Sequence, residues 1–208
     1  MIDRGPVAAI MAHPDDAEIC MGGTLARCAA AGRDVHIVIS SLPDEPERRR
    51  REAAEAARLL GAQVHWVAGS GTWQVEDVPT YRLVAEFDRL LGALEPAMIF
   101  THAFGDPHYD HVCVARAVTS AARRRPAELY FCEPPSLRTP LPSAFEPDTF
   151  VDVTDWLARG LEAVRAHASQ AATRGFEAQI LARARLHGAR AGVEYAEGFQ
   201  SVWRLLAV

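Results

Sequence analysis

Short apolar runs alternate with longer amphipathic segments through the first two thirds of the chain. The first run, residues 7–12, is apolar at every position, which is typical of a strand buried on both faces of a parallel sheet. The segments between the runs carry apolar residues every three or four positions and therefore predict helices. This βαβα alternation indicates a parallel sheet with helices on both of its faces.

The alternation defines the expected elements. Strands are predicted at 7–12, 35–39, 64–68, 97–101 and 129–132, and helices at 25–31, 47–60, 81–94 and 110–124. Residues 134–148 contain five prolines and predict an irregular loop. A strand at 149–153, helices at 155–169 and 176–187, and a closing apolar stretch follow. We therefore predict a Rossmann-like three-layer α/β/α sandwich with a mostly parallel sheet and a C-terminal elaboration, forming one domain over residues 1–208.

Composition and charge narrow the classes of function. Hydrophobic residues make up 49% of the chain and charged residues 24%, as in an ordinary globular protein. The formal charge of -5 argues against nucleic acid as a general partner. The sequence contains no lysine, which excludes a Schiff-base lysine and a P-loop lysine. Because no apolar stretch reaches membrane-spanning length and the cysteines lack CxxC spacing, we expect a cytoplasmic protein with reduced thiols and no membrane partner.

Two groups of histidines and aspartates follow the ends of predicted strands. His13, Asp15 and Asp16 come directly after the first strand. The loop and helix start after the fourth strand supply a second group, made of His102, Asp106, His108, Asp110 and His111. In a parallel sheet of order 3-2-1-4-5 the first and fourth strands are neighbours, and the crevice at their carboxyl ends is the usual ligand site. The topology therefore predicts that the two groups meet.

Each group taken alone has an ordinary explanation. Asp16 is a suitable cap for the following helix, and the second group is compatible with a polar loop. Both groups at one crevice favour a metal or catalytic site. A mixed histidine and carboxylate set suits a divalent first-row metal, zinc being common, which acidifies water and needs a carboxylate to take the proton. Glu18 is interpreted either as a partner of a site residue or as an exposed first-turn carboxylate.

The motifs of both groups resemble a known family. The stretches HPDD (13–16) with GGT (22–24), and DPHYDH (106–111), are similar to the PIG-L/LmbE-like zinc-dependent N-deacetylases. RRREAAEAARLLG (49–61), RAHASQ (165–170) and AGVEYAEGF (191–199) resemble further elements of that family. The resemblance implies an LmbE-like fold and removal of an N-acetyl group from a GlcNAc-like or amino-sugar conjugate. The nearest implied branches are the mycothiol-type and bacillithiol-type deacetylases.

The resemblance also implies roles for the first group and its metal. His13, Asp16 and His111 would be the zinc ligands, and Asp15 would be the general base toward the activated water. The implied cofactor is Zn²⁺, with another divalent first-row metal as the alternative, because ligand type narrows the choice without fixing it.

The remaining candidates surround that centre. By resemblance, His108 would stabilise the oxyanion or protonate the leaving amine, and Asp110 would orient its ring. Arg49 matches a position that contacts substrate in relatives. His102 and Asp106 are candidates for lining the pocket, and Asp106 stands where some relatives carry a tyrosine that helps to hold the oxyanion.

The expected partner is a small N-acetylated substrate, and the resemblance implies a homo-oligomer, either a trimer or a hexamer. Two other functions remain open: a non-sugar amidase or deacylase of specialised metabolism, and a metal-containing ligand-binding protein without turnover. Asp15 argues against the binding protein, because binding alone does not need a base.

Overall fold

The computed structural model describes residues 5–42, 44–68, 74–135, 145–170 and 175–204. Within these residues the strands are β1 (Val7–Met11), β2 (Val35–Ile39), β3 (Gln63–Trp66), β4 (Met98–Thr101), β5 (Glu128–Cys132), β6 (Thr149–Asp152) and β7 (Ala196–Trp203). The helices are α1 (Asp16–Ala30), α2 (Pro46–Leu60), α3 (Thr80–Leu94), α4 (Tyr109–Ala122), α5 (Leu157–Ala166) and α6 (Phe176–Ala191), with a 3₁₀ turn at Val75–Asp77.

One sheet runs through these elements in the order β3-β2-β1-β4-β5-β7-β6. Strands β1 to β5 pair in parallel, with β1 between β2 and β4, and this confirms the predicted fold class and strand order. Strand β7 pairs antiparallel with both β5 and β6, so the C-terminal elaboration extends the same sheet. Every residue of β1 is buried, as its unbroken apolar run predicts for a central parallel strand.

Alternate side chains of β1 enter two different apolar layers. Val7, Ala9 and Met11 belong to a cluster with residues of α1, α2 and α5. Ala8 and Ile10 belong to a second cluster with residues of α3 and α4. This follows from the two-residue period of a strand, and it fixes the carboxyl end of β1 between both helical layers. Among the helices that the structure describes, none has the length and apolar character needed to cross a membrane.

Helix α1 is less regular than its sequence suggests. It begins at Asp16, the residue proposed to cap it, and includes residues 25–30 of the stretch 25–31 that is predicted to continue a helix; Met21 within it has φ −156° and ψ 28°, which is not helical. Past this kink the amides of Gly23 and Thr24 donate to the Glu197 carboxylate at 2.9 and 2.7 Å. A carboxylate that accepts from the free amides at a helix start stabilises that start. Glu197 of β7 therefore caps the second half of α1.

Other boundaries shift by a few residues. The third strand is β3 rather than 64–68, and α5 ends before the predicted 169. Helix α6 continues past the predicted 187, and Gly188 lies inside it. Glycine is needed at 188 because a Cβ there would lie 2.4 Å from the carbonyl oxygen of Glu194. Gly192, with φ 75°, ends the helix instead. Of the proline-rich segment, residues 136–144 lie outside the described residues.

Candidate active site

The carboxyl ends of β1 and β4 meet at the middle of the sheet. Ile10 of β1 is in register with Thr101 of β4, whose hydroxyl donates to the Ile10 carbonyl oxygen at 2.9 Å. One residue further along, the Ala12 amide donates to Nε2 of His102 at 3.0 Å. The two groups of histidines and aspartates therefore begin side by side, as the topology predicts.

The buried carboxylate of Asp16 lies among three imidazoles. Its Oδ2 accepts from the backbone amide of His13 at 2.8 Å and lies 3.5 Å from Nδ1 of the same residue. Its Oδ1 lies 3.5 Å from Nε2 of His111, and its Oδ2 lies 3.4 Å from Nε2 of His102. Burial raises the pKa of Asp16, but the three imidazoles outweigh burial and hold that pKa well below its usual range. Asp16 is therefore ionised.

Two of these imidazoles have a second carboxylate behind them. Oδ2 of Asp110 is 3.0 Å from Nε2 of His13, and Oδ2 of Asp106 is 2.8 Å from Nδ1 of His111. Burial raises the pKa of both aspartates, but the hydrogen bonds from the imidazoles lower it below the ordinary value. Because an ionised carboxylate only accepts, the ring N–H donates at each contact. The other ring nitrogens, Nδ1 of His13 and Nε2 of His111, are left to face Asp16.

The surroundings of the imidazoles shift their pKa values in different directions. Burial lowers the pKa of His13, but the hydrogen bonds with Asp110 and Asp16 outweigh it and raise the pKa to about 9. The pKa of His111 is likewise raised, since the aspartates around it outweigh its burial. Burial and the neighbouring His111 lower the pKa of His102 to about 4. A divalent cation would compete with protons for the nitrogens of His13 and His111.

The imidazole of His111 is stacked against two others. Its ring centroid is 3.8 Å from that of His102, and the two planes are inclined by 12°. The ring of His108 lies 4.5 Å from His111, also at 12°. His102 is buried and His108 is exposed, so the three rings run from the interior of the site to its surface.

Asp15 occupies a left-handed backbone conformation beside Asp16. Its φ is 94°, a value that residues other than glycine, asparagine and aspartate rarely adopt. Arg49 of α2 supports this turn: Nη2 donates to the Pro14 carbonyl oxygen at 2.8 Å and lies 3.5 Å from Oδ1 of Asp15. Burial first, and then the negative charge of Asp16, raise the pKa of Asp15 to about 7. Asp15 is therefore a buried carboxyl that exchanges a proton near neutral pH.

Every site residue described above lies within residues 8–122, and this segment matches the family described as "PIG-L: GlcNAc-PI de-N-acetylase". The chain belongs to the PIG-L family. Over 162 residues it is 27% identical to a 1D-myo-inositol 2-acetamido-2-deoxy-alpha-D-glucopyranoside deacetylase from Segniliparus rotundus, a match that covers 58% of this chain and 51% of that protein. The chain therefore spans about half the length of this curated relative.

Solved structures share the fold of this PIG-L chain. A conserved protein from Thermus thermophilus matches with a TM-score of 0.79 and 30% identity, covering 97% of this chain and 96% of that one. The 4-carboxy-2-hydroxymuconate hydratase GalB from Pseudomonas putida matches with a TM-score of 0.77 and 23% identity, covering 98% of each chain. At the latter identity the likeness concerns the fold alone.

One implied role in the PIG-L motif differs from the geometry. The resemblance predicts that Asp110 orients His108, but the Asp110 carboxylate accepts instead from His13 and from a backbone amide. The physical reason lies at the helix start: His108 precedes α4 with extended backbone angles, φ −81° and ψ 119°, and its ring stacks on that of His111. The backbone amide of His108 donates to Oδ1 of Asp106 at 2.8 Å. Asp106, expected only as pocket lining, therefore holds both His108 and His111.

Arg49 and Glu18 also have more internal positions than the sequence indicates. Arg49, matched by resemblance to a substrate contact, is 5% exposed and lies against the Asp15 turn. Glu18, left open as a surface carboxylate or a partner, is buried with its Oε2 3.5 Å from Nε2 of the buried His167. The burial of every residue from Asp16 to Ala26 explains both, because α1 is enclosed by α2 and α5. In the sequence, only the many apolar residues between Asp16 and Ala26 could have indicated that α1 is enclosed.

The PIG-L site offers two overlapping groups of ligand atoms, and the atoms of each group are close enough to share a metal ion. Such atoms lie within 4.8 Å of one another in His13, His108 and His111, and again in Asp16, His102 and His111. Two imidazole nitrogens facing a carboxylate, each imidazole backed by a further carboxylate, is the arrangement that surrounds zinc in proteins. The donor set therefore fits a divalent first-row metal.

Proposed function

We propose that this PIG-L protein is a zinc-dependent hydrolase that removes the N-acetyl group from a GlcNAc-like or amino-sugar conjugate. The observation that carries the proposal is the carboxylate behind each of the two imidazoles beside Asp16. A hydrogen bond at one ring nitrogen fixes the tautomer and leaves the lone pair of the other nitrogen available. A binding site without chemistry would not need this arrangement next to a fourth, separately tuned carboxyl, Asp15.

The residues that would hold the metal are His13, Asp16 and His111. Three protein ligands leave a coordination position open for water or substrate, as in catalytic rather than structural zinc sites. A divalent ion held here would lower the pKa of a water molecule and so supply a nucleophile near neutral pH.

Asp15 would act as the general base that takes a proton from this water. Burial and the charge of Asp16 raise the pKa of Asp15 to about 7 in the metal-free protein, and a neighbouring cation would favour the ionised form that accepts a proton. The left-handed turn aims the side chains of Asp15 and Asp16 differently, and Arg49 holds the Pro14 carbonyl and so the turn. Two adjacent aspartates thereby take two roles, one toward the metal and one toward the proton.

His108 would serve the developing oxyanion or the leaving amine. It is exposed at the mouth of the site, and its position is fixed by the Asp106 hydrogen bond to its amide and by the stack on His111. Burial and the charges of His111 and His13 lower its pKa. An imidazole placed this way can donate a hydrogen bond or a proton at the carbonyl side of an amide.

The sugar part of the proposal is supported by the relatives. The matching family is described by a GlcNAc-phosphatidylinositol de-N-acetylase, and the Segniliparus relative by a 2-acetamido-glucopyranoside deacetylase. The hydratase GalB has the same fold, so the fold by itself does not select amide hydrolysis. A cytoplasmic location, a single domain over 1–208 and a trimeric or hexameric assembly stay predictions.

The deciding measurement is acetate release from a panel of N-acetylated compounds by zinc-loaded and metal-stripped protein. The panel contains GlcNAc, GlcNAc-malate, GlcNAc-inositol, chitobiose and several non-sugar acetamides. We expect release from a sugar conjugate by the loaded protein, and loss of release on stripping. Release from acetamides alone would replace the sugar substrate by a non-sugar one. No release from any compound, with zinc bound, would contradict deacetylation and direct the test to hydration of unsaturated acids.

A further inference from the structure

We infer that His102 is a positioning residue of the metal site, one that sets the plane of the His111 ring without binding the metal itself. The inference rests on the proposed function, in which His111 is a ligand. Distance alone would place His102 among the ligands, since its ring lies with Asp16 and His111 inside one 4.8 Å group.

The hydrogen bond at Nε2 argues against ligation by His102. Nε2 accepts from the Ala12 amide at 3.0 Å, so its lone pair is already directed at the backbone. A nitrogen needs that lone pair to bind a metal, and breaking the contact would leave a buried backbone N–H without its acceptor. The proton of a neutral ring whose Nε2 accepts must be on Nδ1. The geometry of this hydrogen bond therefore favours an imidazole that does not bind the metal.

The stack gives His102 its function. The centroid distance of 3.8 Å and the 12° inclination bring the His102 ring face to face with His111. Asp106 fixes one ring nitrogen of His111 in direction, but a single hydrogen bond still allows the ring to turn about that contact. A flat, fully buried neighbour removes this freedom, because rotation of His111 would drive its edge into the His102 ring.

His102 also joins the two halves of the ligand set. It follows β4 directly, and its Nε2 is held by the amide at the end of β1. The ring plane of His111, on α4, is thereby tied to the strand that leads to His13 and Asp16. The distances of 3.5 Å from Asp16 to Nδ1 of His13 and to Nε2 of His111 depend on this alignment.

The experiment separates the two contacts of His102 with two variants. His102→Phe keeps a flat ring against His111 but cannot accept from the Ala12 amide. His102→Gln offers an oxygen to that amide but has no ring to stack. The readouts are the zinc dissociation constant by chelator competition, the visible spectrum of the Co²⁺-substituted protein, and the melting temperature, all without substrate. His36→Gln is the matched control. His36 lies on β2, outside the site, and its ring shares a hydrogen bond with that of His65 on β3.

We expect crossed effects. His102→Phe should melt lower than wild type but bind zinc within about threefold of it, with an unchanged Co²⁺ spectrum. His102→Gln should weaken zinc binding by about 10- to 100-fold, the range for lost supporting contacts, and alter the Co²⁺ spectrum. His36→Gln should leave zinc binding unchanged.

Other outcomes would overturn the inference. Equal loss in both variants, down to the level of His111→Ala, would make His102 a ligand. If His102→Gln binds zinc as tightly as wild type, the stack of His102 on His111 does not contribute to metal binding, whatever the result for His102→Phe. If His102→Phe does not fold, His102→Gln is compared with His111→Ala: zinc binding lost to the level of His111→Ala would make His102 a ligand, and a smaller loss would support a positioning role. Failure of the wild type to bind zinc would instead contradict the proposed function, so the two failures are distinguishable.

Discussion

The turn after β1 and the loop after β4 build the same site by different means. In the β1 turn (residues 12–16), main-chain contacts dominate: Asp15 has φ 94°, the His13 amide donates to Asp16, and Arg49 holds the Pro14 carbonyl oxygen. In the β4 loop (residues 102–111), one side chain dominates, since Asp106 accepts from the His108 amide and from the His111 ring.

Because of this difference, substitutions in the two regions should affect turnover and metal affinity differently. In the β1 turn, the backbone is held by the side chains of Asp16 and Arg49 and not by that of Asp15, so a substitution of Asp15 should alter chemistry more than metal binding. The β4 loop depends on side-chain hydrogen bonds, and its exposed residues include His108 and Tyr109. A substitution there should alter ligand orientation and therefore metal affinity. Metal affinity and turnover, measured on the same variants, test this division.

The largest expected effect is that of Asp15→Asn. Asparagine tolerates the left-handed backbone at this position but cannot take a proton, so turnover should fall by about 10²- to 10⁴-fold, the typical contribution of a general base. Zinc content should remain at the wild-type level, because Asp15 is not among the proposed ligands. Acetate release and metal analysis on one preparation check both parts. Turnover within a few-fold of wild type would remove Asp15 from the mechanism.

The next effect is that of Asp106→Asn in the β4 loop. The amide cannot accept from both the His108 amide and the His111 ring as the carboxylate does, and zinc affinity should fall by about 10- to 100-fold. Chelator competition measures the change. Asp155→Asn, an aspartate on the surface, is the control and should have no effect. A zinc affinity equal to wild type would show that His111 is oriented without Asp106.

A smaller effect is expected for Arg49→Met in the support of the β1 turn. Methionine keeps much of the buried aliphatic volume but removes the hydrogen bond to Pro14 and the cation beside Asp15. Turnover should fall by about tenfold, equivalent to roughly 1.4 kcal/mol, with little change in zinc affinity. Arg51→Met on the exposed side of α2 serves as the control. If substrate affinity alone weakens, Arg49 contacts substrate, as the family resemblance implies.

The smallest effect on turnover is expected for Glu197→Ala. Loss of the cap leaves the Gly23 and Thr24 amides without their acceptor, and the free energy of unfolding should drop by about 1–3 kcal/mol. Denaturant unfolding measures it, with the exposed Glu194→Ala as a control that should change by less than about 0.5 kcal/mol. Turnover of the folded fraction should be near wild type. An unchanged unfolding free energy would mean that water replaces Glu197 at the kink.

The sequence predicts the location of the site better than its internal contacts. The apolar run of β1 and the alternation after it give the parallel order, and that order alone brings residue 13 next to residue 102. Which carboxylate serves which imidazole depends on side-chain direction at a helix start. The family resemblance implied Asp110 for His108, whereas the i, i+3 rule would have paired His108 with His111. The Glu197 contact could not be foreseen, because nothing local marks a kink that is capped from another element.

The cap has a consequence for how the chain matures. Glu197 is 174 residues beyond Gly23, so the helix that starts with Asp16 lacks this stabilising partner until β7 has emerged from the ribosome. Contacts of such long sequence separation form late, because loop closure must precede them. The segment 8–122 holds every candidate ligand and the base, yet β7 completes the support of their helix. A fragment that ends after β5 would carry the motifs without the finished scaffold.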